Sequence, residues 1–248
     1  MVPQLLPRKI GDVEIFELRG VLANPWIKRI QSEMNRALDE HDCAGLLFNV
    51  RDVEKVDDQG AETILKFARE RTKSGILGRN LSAYFIAEHM NPQEPIPVFE
   101  NQQEVVGYFS EEFVSKLNPS PRERRQFARI KTGLPIEFEF MDFGQKFSLE
   151  AVVTNLSEGG LYSYFLDANT EELAHRVLDP FDLKMIKIHL QIDKKIQLNM
   201  EGKLLRAEKD FSEASGLAVE FYNLAPAESN EIRKFLDGGT TAKFGGRK

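Results

Sequence analysis

Ile136-Glu137-Phe138-Glu139-Phe140 alternates apolar and acidic side chains without a break. An extended chain turns successive side chains to opposite faces, so this stretch reads as a half-buried antiparallel strand. Toward the C-terminus the same grammar recurs at 149–154, 161–165, 183–192, 196–206 and 215–222. Six such strands joined by turns, with no crossover helices, predict a six-stranded antiparallel β-barrel, because closure leaves no exposed edge. An inserted short helix is expected over 169–177. A C-terminal helix is expected over 226–236, where Ile232, Phe235 and Leu236 can dock on the barrel. The remainder, 238–248, is glycine-rich and basic and reads as a frayed tail.

Toward the N-terminus the grammar changes at Lys116-Leu117-Asn118-Pro119-Ser120-Pro121. Two prolines with Asn and Ser cannot continue a helix and favour an extended connection. The expected organisation is therefore a first domain at 1–115, a linker at 116–124, a barrel domain at 125–237 and the tail. In the first domain strand and helix patterns alternate. Residues 13–18 have period two, and 45–50 is a continuous apolar run suited to a central strand covered on both faces. Asn24-Pro25 reads as a helix start, followed by Trp26, Ile30, Met34, Ala37 and Leu38 at helical spacing. Ala61, Ile64, Leu65 and Ala68 mark a second helix whose last turns carry Arg69, Arg71 and Lys73, and 81–87 reads as a further strand. A short strand at Val98-Phe99 precedes a helix carrying Val105, Val106 and Phe109. This order predicts an α/β mixed sheet with helices packed on it.

The 248 residues carry 33 Lys+Arg against 39 Asp+Glu, a net charge of −6. That balance argues against a nucleic-acid binder, which needs a broad basic face, but leaves room for a small anion site. The single cysteine, Cys43, excludes an internal disulfide framework and a CxxC metal site. No apolar run approaches the roughly 20 residues of a membrane-spanning helix. The first residues lack the features of a signal peptide, so a cytoplasmic protein without a membrane span is expected. His41, His89, His175 and His189 are scattered, without metal-ligand spacing, and no GxSxG, Walker or GxGxxG motif occurs. An enzyme, a metal and a cofactor are not expected.

Two features carry chemistry. Between Arg122 and Lys131 stand five basic residues and one acidic, including Arg124, Arg125 and Arg129. Guanidinium forks match phosphate oxygens and the O6/N7 edge of guanine, although an RxxxR spacing alone is equally a solvated basic linker. Asn155-Leu156-Ser157-Glu158-Gly159-Gly160 lies between two strands. Alone it reads as a tight turn, with Gly160 able to let a backbone amide approach a ligand.

Together the two features resemble the PilZ domain family, whose signature is RxxxR followed by [D/N]xSxxG. Arg125 and Arg129 match the first element, and Asn155, Ser157 and Gly160 the second; Gly216-Leu217-Ala218-Val219-Glu220-Phe221 fits a glycine-led last strand. The resemblance runs from about 122 to 236 and implies binding of cyclic di-GMP. It assigns Arg125 and Arg129 as the clamp, with Arg124 as an added phosphate contact, and Asn155, Ser157 and Gly160 as the platform. The first domain is similar to the STAS domain of anti-sigma-factor antagonists. Asp57-Asp58-Gln59-Gly60 stands where that family has Asp-Ser-Ser/Thr-Gly, its first serine being the phosphorylated residue. Here Asp58 replaces it. The substitution puts kinase control in doubt and makes Asp58 a regulatory candidate, as a fixed negative charge at a helix N-terminus or a plain helix cap.

The expectation is a cyclic di-GMP-binding signalling adaptor. The ligand closes the arginine clamp onto the barrel and changes domain orientation or the binding of a protein partner by the STAS-like domain. The alternative is a STAS-type interaction regulator whose barrel binds no ligand. The identity of the partner and the oligomeric state are left open by the sequence.

Overall fold

The computed structural model describes residues 2–40, 42–115, 129–142, 144–177, 185–193, 195–207 and 216–238. The chain divides into two compact units, Met1–Val105 and Val106–Lys248.

The first unit is a five-stranded mixed sheet in the order β1-β2-β3-β4-β5. Strands β1 (Gln4–Ile10) and β2 (Val13–Leu22) form an antiparallel hairpin. Parallel pairing then adds β3 (Gly45–Val56), β4 (Lys73–Leu77) and β5 (Val98–Phe99). Parallel strands need crossovers, and helices α1 (Ile27–Glu40), α2 (Asp58–Arg69) and α3 (Leu81–Glu88) supply them. The core joins Phe16, Phe48 and Ile76 of the sheet to Met34, Ile64 and Ile86 of the helices. Each fully buried side chain of this size stabilises the fold by about 1.5–3 kcal/mol.

Three expectations need correction here. The run 81–87 is helix α3, not a strand, and the strand lies earlier, at Lys73–Leu77. A short apolar run fits either element by periodicity. Asn80 decides it: its side chain accepts from Ala83 N while its amide donates to Val50 O at 2.8 Å, which starts a helix there. Helix α2 consequently ends at Arg69, and Lys73 belongs to β4. Helix α1 begins at Ile27 after a cis Asn24–Pro25 bond, so Pro25 is not its first residue. Asn24 instead donates to Gln59 Oε1 at 2.7 Å.

Helix α4 (Gln102–Tyr108) crosses the division between the units. In the second unit, α5 (Ser110–Val114) packs on β6 (Arg129–Asp142). Contact is close enough that a side chain on Gly133 would run into the backbone of Ser110. The unit is a closed six-stranded antiparallel barrel in the order β10-β11-β8-β7-β6-β9. Its remaining strands are β7 (Gln145–Ser157), β8 (Gly160–Phe165), β9 (Met185–Gln191), β10 (Gln197–Ala207) and β11 (Gly216–Tyr222). Phe138, Phe165, Ile188 and Leu190 fill the interior, and Ile232 of α7 (Pro226–Gly238) joins that core. The inserted helix is α6 (Ala168–Val177). The expected linker at 116–124 and the tail beyond Gly238 lie outside the described residues.

Candidate functional site

Strand register brings the last position of the first sequence motif beside the second. Arg129 opens β6 and pairs with Ser157 at the end of β7; two rungs on, Lys131 pairs with Asn155. On the other side of β7, Ser157 pairs with Gly160 and Asn155 with Tyr162. One patch of barrel wall therefore holds Arg129 beside Asn155, Ser157 and Gly160. Residues 24 and 28 apart in the chain become neighbours because β6 and β7 form an antiparallel hairpin whose open end lies here. Arg124 and Arg125 lie outside the described residues, as does the side chain of Arg129.

Each platform residue has a definable role in shaping the ledge. Ser157 is buried, and its Oγ donates to the carbonyl of Gly160 at 3.0 Å, which closes the turn. Gly160 admits no side chain, since a Cβ would collide with the carbonyl of Val219 on β11. Phe221 N donates to Gly159 O at 3.0 Å, binding the turn to β11 as well. Glu158 points to α7, where Arg233 Nη2 donates to it at 3.0 Å. That hydrogen bond holds the Glu158 carboxyl below its ordinary range. Asn155 remains half-buried on the wall between Lys131 and Tyr162.

The ledge thus has neutral groups at Asn155 and Ser157, Lys131 on its β6 side, and Glu158 and Glu220 on its turn and β11 sides. It can offer amide and backbone groups to a polar ring system, and an ammonium to a phosphate oxygen from its β6 side. Sequence reasoning did not find Lys131 or Tyr162. Neither belongs to a motif, and only the register shows them level with Asn155.

Asp58 lies in the first unit, at the start of α2. The cap of that helix is Asp57, whose Oδ1 accepts from Gly60 N at 2.8 Å. Asp58 is not the cap; its side chain is 80% exposed and meets His89 Nε2 at 3.2 Å. His89 Nδ1 faces the Phe85 carbonyl at 2.8 Å. A ring with an acceptor against each nitrogen is best satisfied when both are protonated, and the Phe85 carbonyl followed by Asp58 raises the His89 pKa. The fixed charge at position 58 is therefore partly countered from α3. Gly60 is required at its position because a side chain would collide with the Leu22 carbonyl at the end of β2.

The family model of the PilZ domain matches residues 123–238, which is the barrel unit with its preceding arginines. The second half of the chain is thus a closed barrel matched by the PilZ model, and the first is a five-stranded mixed sheet. Among solved structures, the chain is similar to YcgR from Escherichia coli in complex with c-di-GMP, at 14% identity and a TM-score of 0.36, over 46% of this chain and 45% of that one. The inhibitor of motility MotI/DgrA from Bacillus subtilis matches at 17% identity and 0.36, over 49% of this chain and 57% of that one. An anti-sigma factor antagonist from Mycobacterium paratuberculosis matches at 10% identity and 0.38, over 42% of this chain and 91% of that one. The chain thus spans about half the length of the first two proteins. No curated protein matches it. Among the described residues, no group of His, Cys, Asp and Glu is placed to hold a metal, and no helix is long and apolar enough to cross a membrane.

Proposed function

We propose that this protein is a cytoplasmic cyclic di-GMP receptor acting as a signalling adaptor. The observation that supports the reading is the pairing of Arg129, last residue of the RxxxR motif, with Ser157 of the NxSxxG motif on a barrel matched by the PilZ model. In this reading Arg125 and Arg129 clamp the dinucleotide, Arg124 adds a phosphate contact, and Asn155, Ser157 and Gly160 form the platform. Helix α5 and β6 belong to the same unit, and the arginine-bearing segment is the stretch of sequence that joins them. Closing it over the ledge remodels the surface of the barrel unit, and the STAS-like unit carries the change to a protein partner.

Titration calorimetry of the full chain with cyclic di-GMP tests this. Saturable binding at micromolar concentration or tighter is expected. Arg125→Ala and Arg129→Ala should each cost about 2–4 kcal/mol through lost charge-assisted bonds. A wild-type chain that takes up no ligand overturns the reading.

A second reading, a STAS-type interaction regulator with a non-binding barrel, is favoured by α3, whose C-cap His89 meets Asp58. That helix also exposes Leu81 (87%) and Tyr84 (49%). Asp58→Ser and Leu81→Ser variants that abolish capture of a partner, in a chain that ignores cyclic di-GMP, would establish it.

A further inference from the structure

On β8 the side chains alternate, with Leu161, Ser163 and Phe165 buried and Gly160, Tyr162 and Tyr164 on the outer wall. Tyr162 stands in a lateral row made by Lys131 of β6, Asn155 of β7, itself and Ala218 of β11. Lys131 is exposed and Tyr162 half-buried. The phenol end of Tyr162 leans across β11 onto Gly216, where a Cβ would collide with its hydroxyl and Cζ. Glycine at the head of β11 is what lets this ring lie down on the sheet. Tyr164 meets it at 5.1 Å between centroids and an interplanar angle of 76°, so the two rings form an aromatic corner. On its β7 side Tyr162 pairs with Asn155, one of the positions that the PilZ resemblance assigns to ligand binding.

We propose that the Tyr162–Tyr164 corner seats a purine base of the cyclic dinucleotide, with Asn155 at the base edge and Lys131 toward a phosphate. The inference rests on the cyclic di-GMP reading above and extends it to two residues outside both motifs. Its physical basis is the chemistry of the row. Aromatic faces stack on bases whatever the base identity, while amide groups read base edges and an ammonium meets phosphate as a point charge. A cation, an amide and an aromatic ring in consecutive rungs offer all three. Packing alone would be satisfied by Tyr162 covering Gly216, and the test separates that role from ligand contact.

The experiment is calorimetry of the full chain and of Tyr162→Phe and Tyr162→Leu with cyclic di-GMP. Thermal unfolding of each variant and near-UV dichroism, with and without ligand, accompany it. Stacking predicts that Tyr162→Leu weakens binding by about tenfold to a hundredfold. Tyr162→Phe, which keeps the ring, should stay within about threefold of wild type on the same argument. The ligand-induced dichroism where guanine absorbs should persist in the Phe variant and shrink in the Leu variant held at saturation. Should wild type bind while Tyr162→Leu, still folded, binds equally well, the corner is structural and this inference falls although the receptor reading stands. Should Phe and Leu weaken binding alike with the dichroism unchanged, stacking is likewise excluded. A wild type that binds nothing removes both readings together.

Discussion

Strand β2 of the mixed sheet and strand β8 of the barrel bury their side chains by opposite rules. In β2, Val13 through Leu18 are all buried, as in a strand covered on both faces. In the barrel, β8 alternates strictly between interior and wall. A strand covered on both faces has no open wall, and the functional candidate of that unit, Asp58, sits at the start of a crossover helix. Strand β8 keeps alternate positions on an outer wall, and the candidate ligand site lies there. The lesson is that exposure of strand faces, set by connectivity, decides where each unit can present chemistry.

The comparison can be broken most forcefully through the cores. Phe48 and Phe138 are both fully buried, in separate clusters. Truncating either to alanine should cost about 3–5 kcal/mol. If the units fold independently, Phe48→Ala lowers one thermal transition and Phe138→Ala the other in calorimetry. A single transition moved equally by both would show that the units unfold as one.

A smaller effect should sharpen the contrast from within the mixed sheet. Glu14 is fully buried in β2, and burial pushes its carboxyl pKa up to about 8, against the opposing charge of Lys9. The folded state thus holds a proton that the unfolded chain gives up near its ordinary value of 4.5. Stability from this group is complete below that value and declines as pH rises toward 8. The steepest decline is about 1.4 kcal/mol per pH unit. Glu14→Gln should flatten that slope in denaturant titrations between these limits. An unchanged slope would mean that Glu14 ionises freely.

The least effect is expected at His89. Its raised pKa stabilises the folded chain fully below the ordinary histidine range, and the contribution disappears as pH rises through the folded value. Ring resonances of His89 should titrate above 6.5 in the wild type and move lower in Asp58→Asn. A midpoint indifferent to position 58 would dissolve the pair.

Much of this could be read in advance, and the exceptions have reasons. The alternation at 136–140 and its successors led directly to the six barrel strands, since a half-buried strand writes its faces into the sequence. The apolar run at 81–87 carried no such record, because α3 is apolar nearly all round. The hairpin strand β1, Gln4–Ile10, escaped notice because Pro7 and the charges of Arg8 and Lys9 mask its alternation. Among the site residues, the motifs marked Asn155, Ser157 and Gly160. Lys131, Tyr162 and His89 have unremarkable local contexts and matter only through what lies across from them.

Periodicity and turn chemistry, both local, determined the barrel strands and the barrel class, and the family resemblance marked the candidate motif positions. Tertiary structure alone decided that Arg129 faces Ser157, that α5 joins the barrel unit and that His89 meets Asp58. Those facts depend on strand register and helix packing, which arise from contacts between residues distant in the chain, and no window of sequence contains both partners of such a contact.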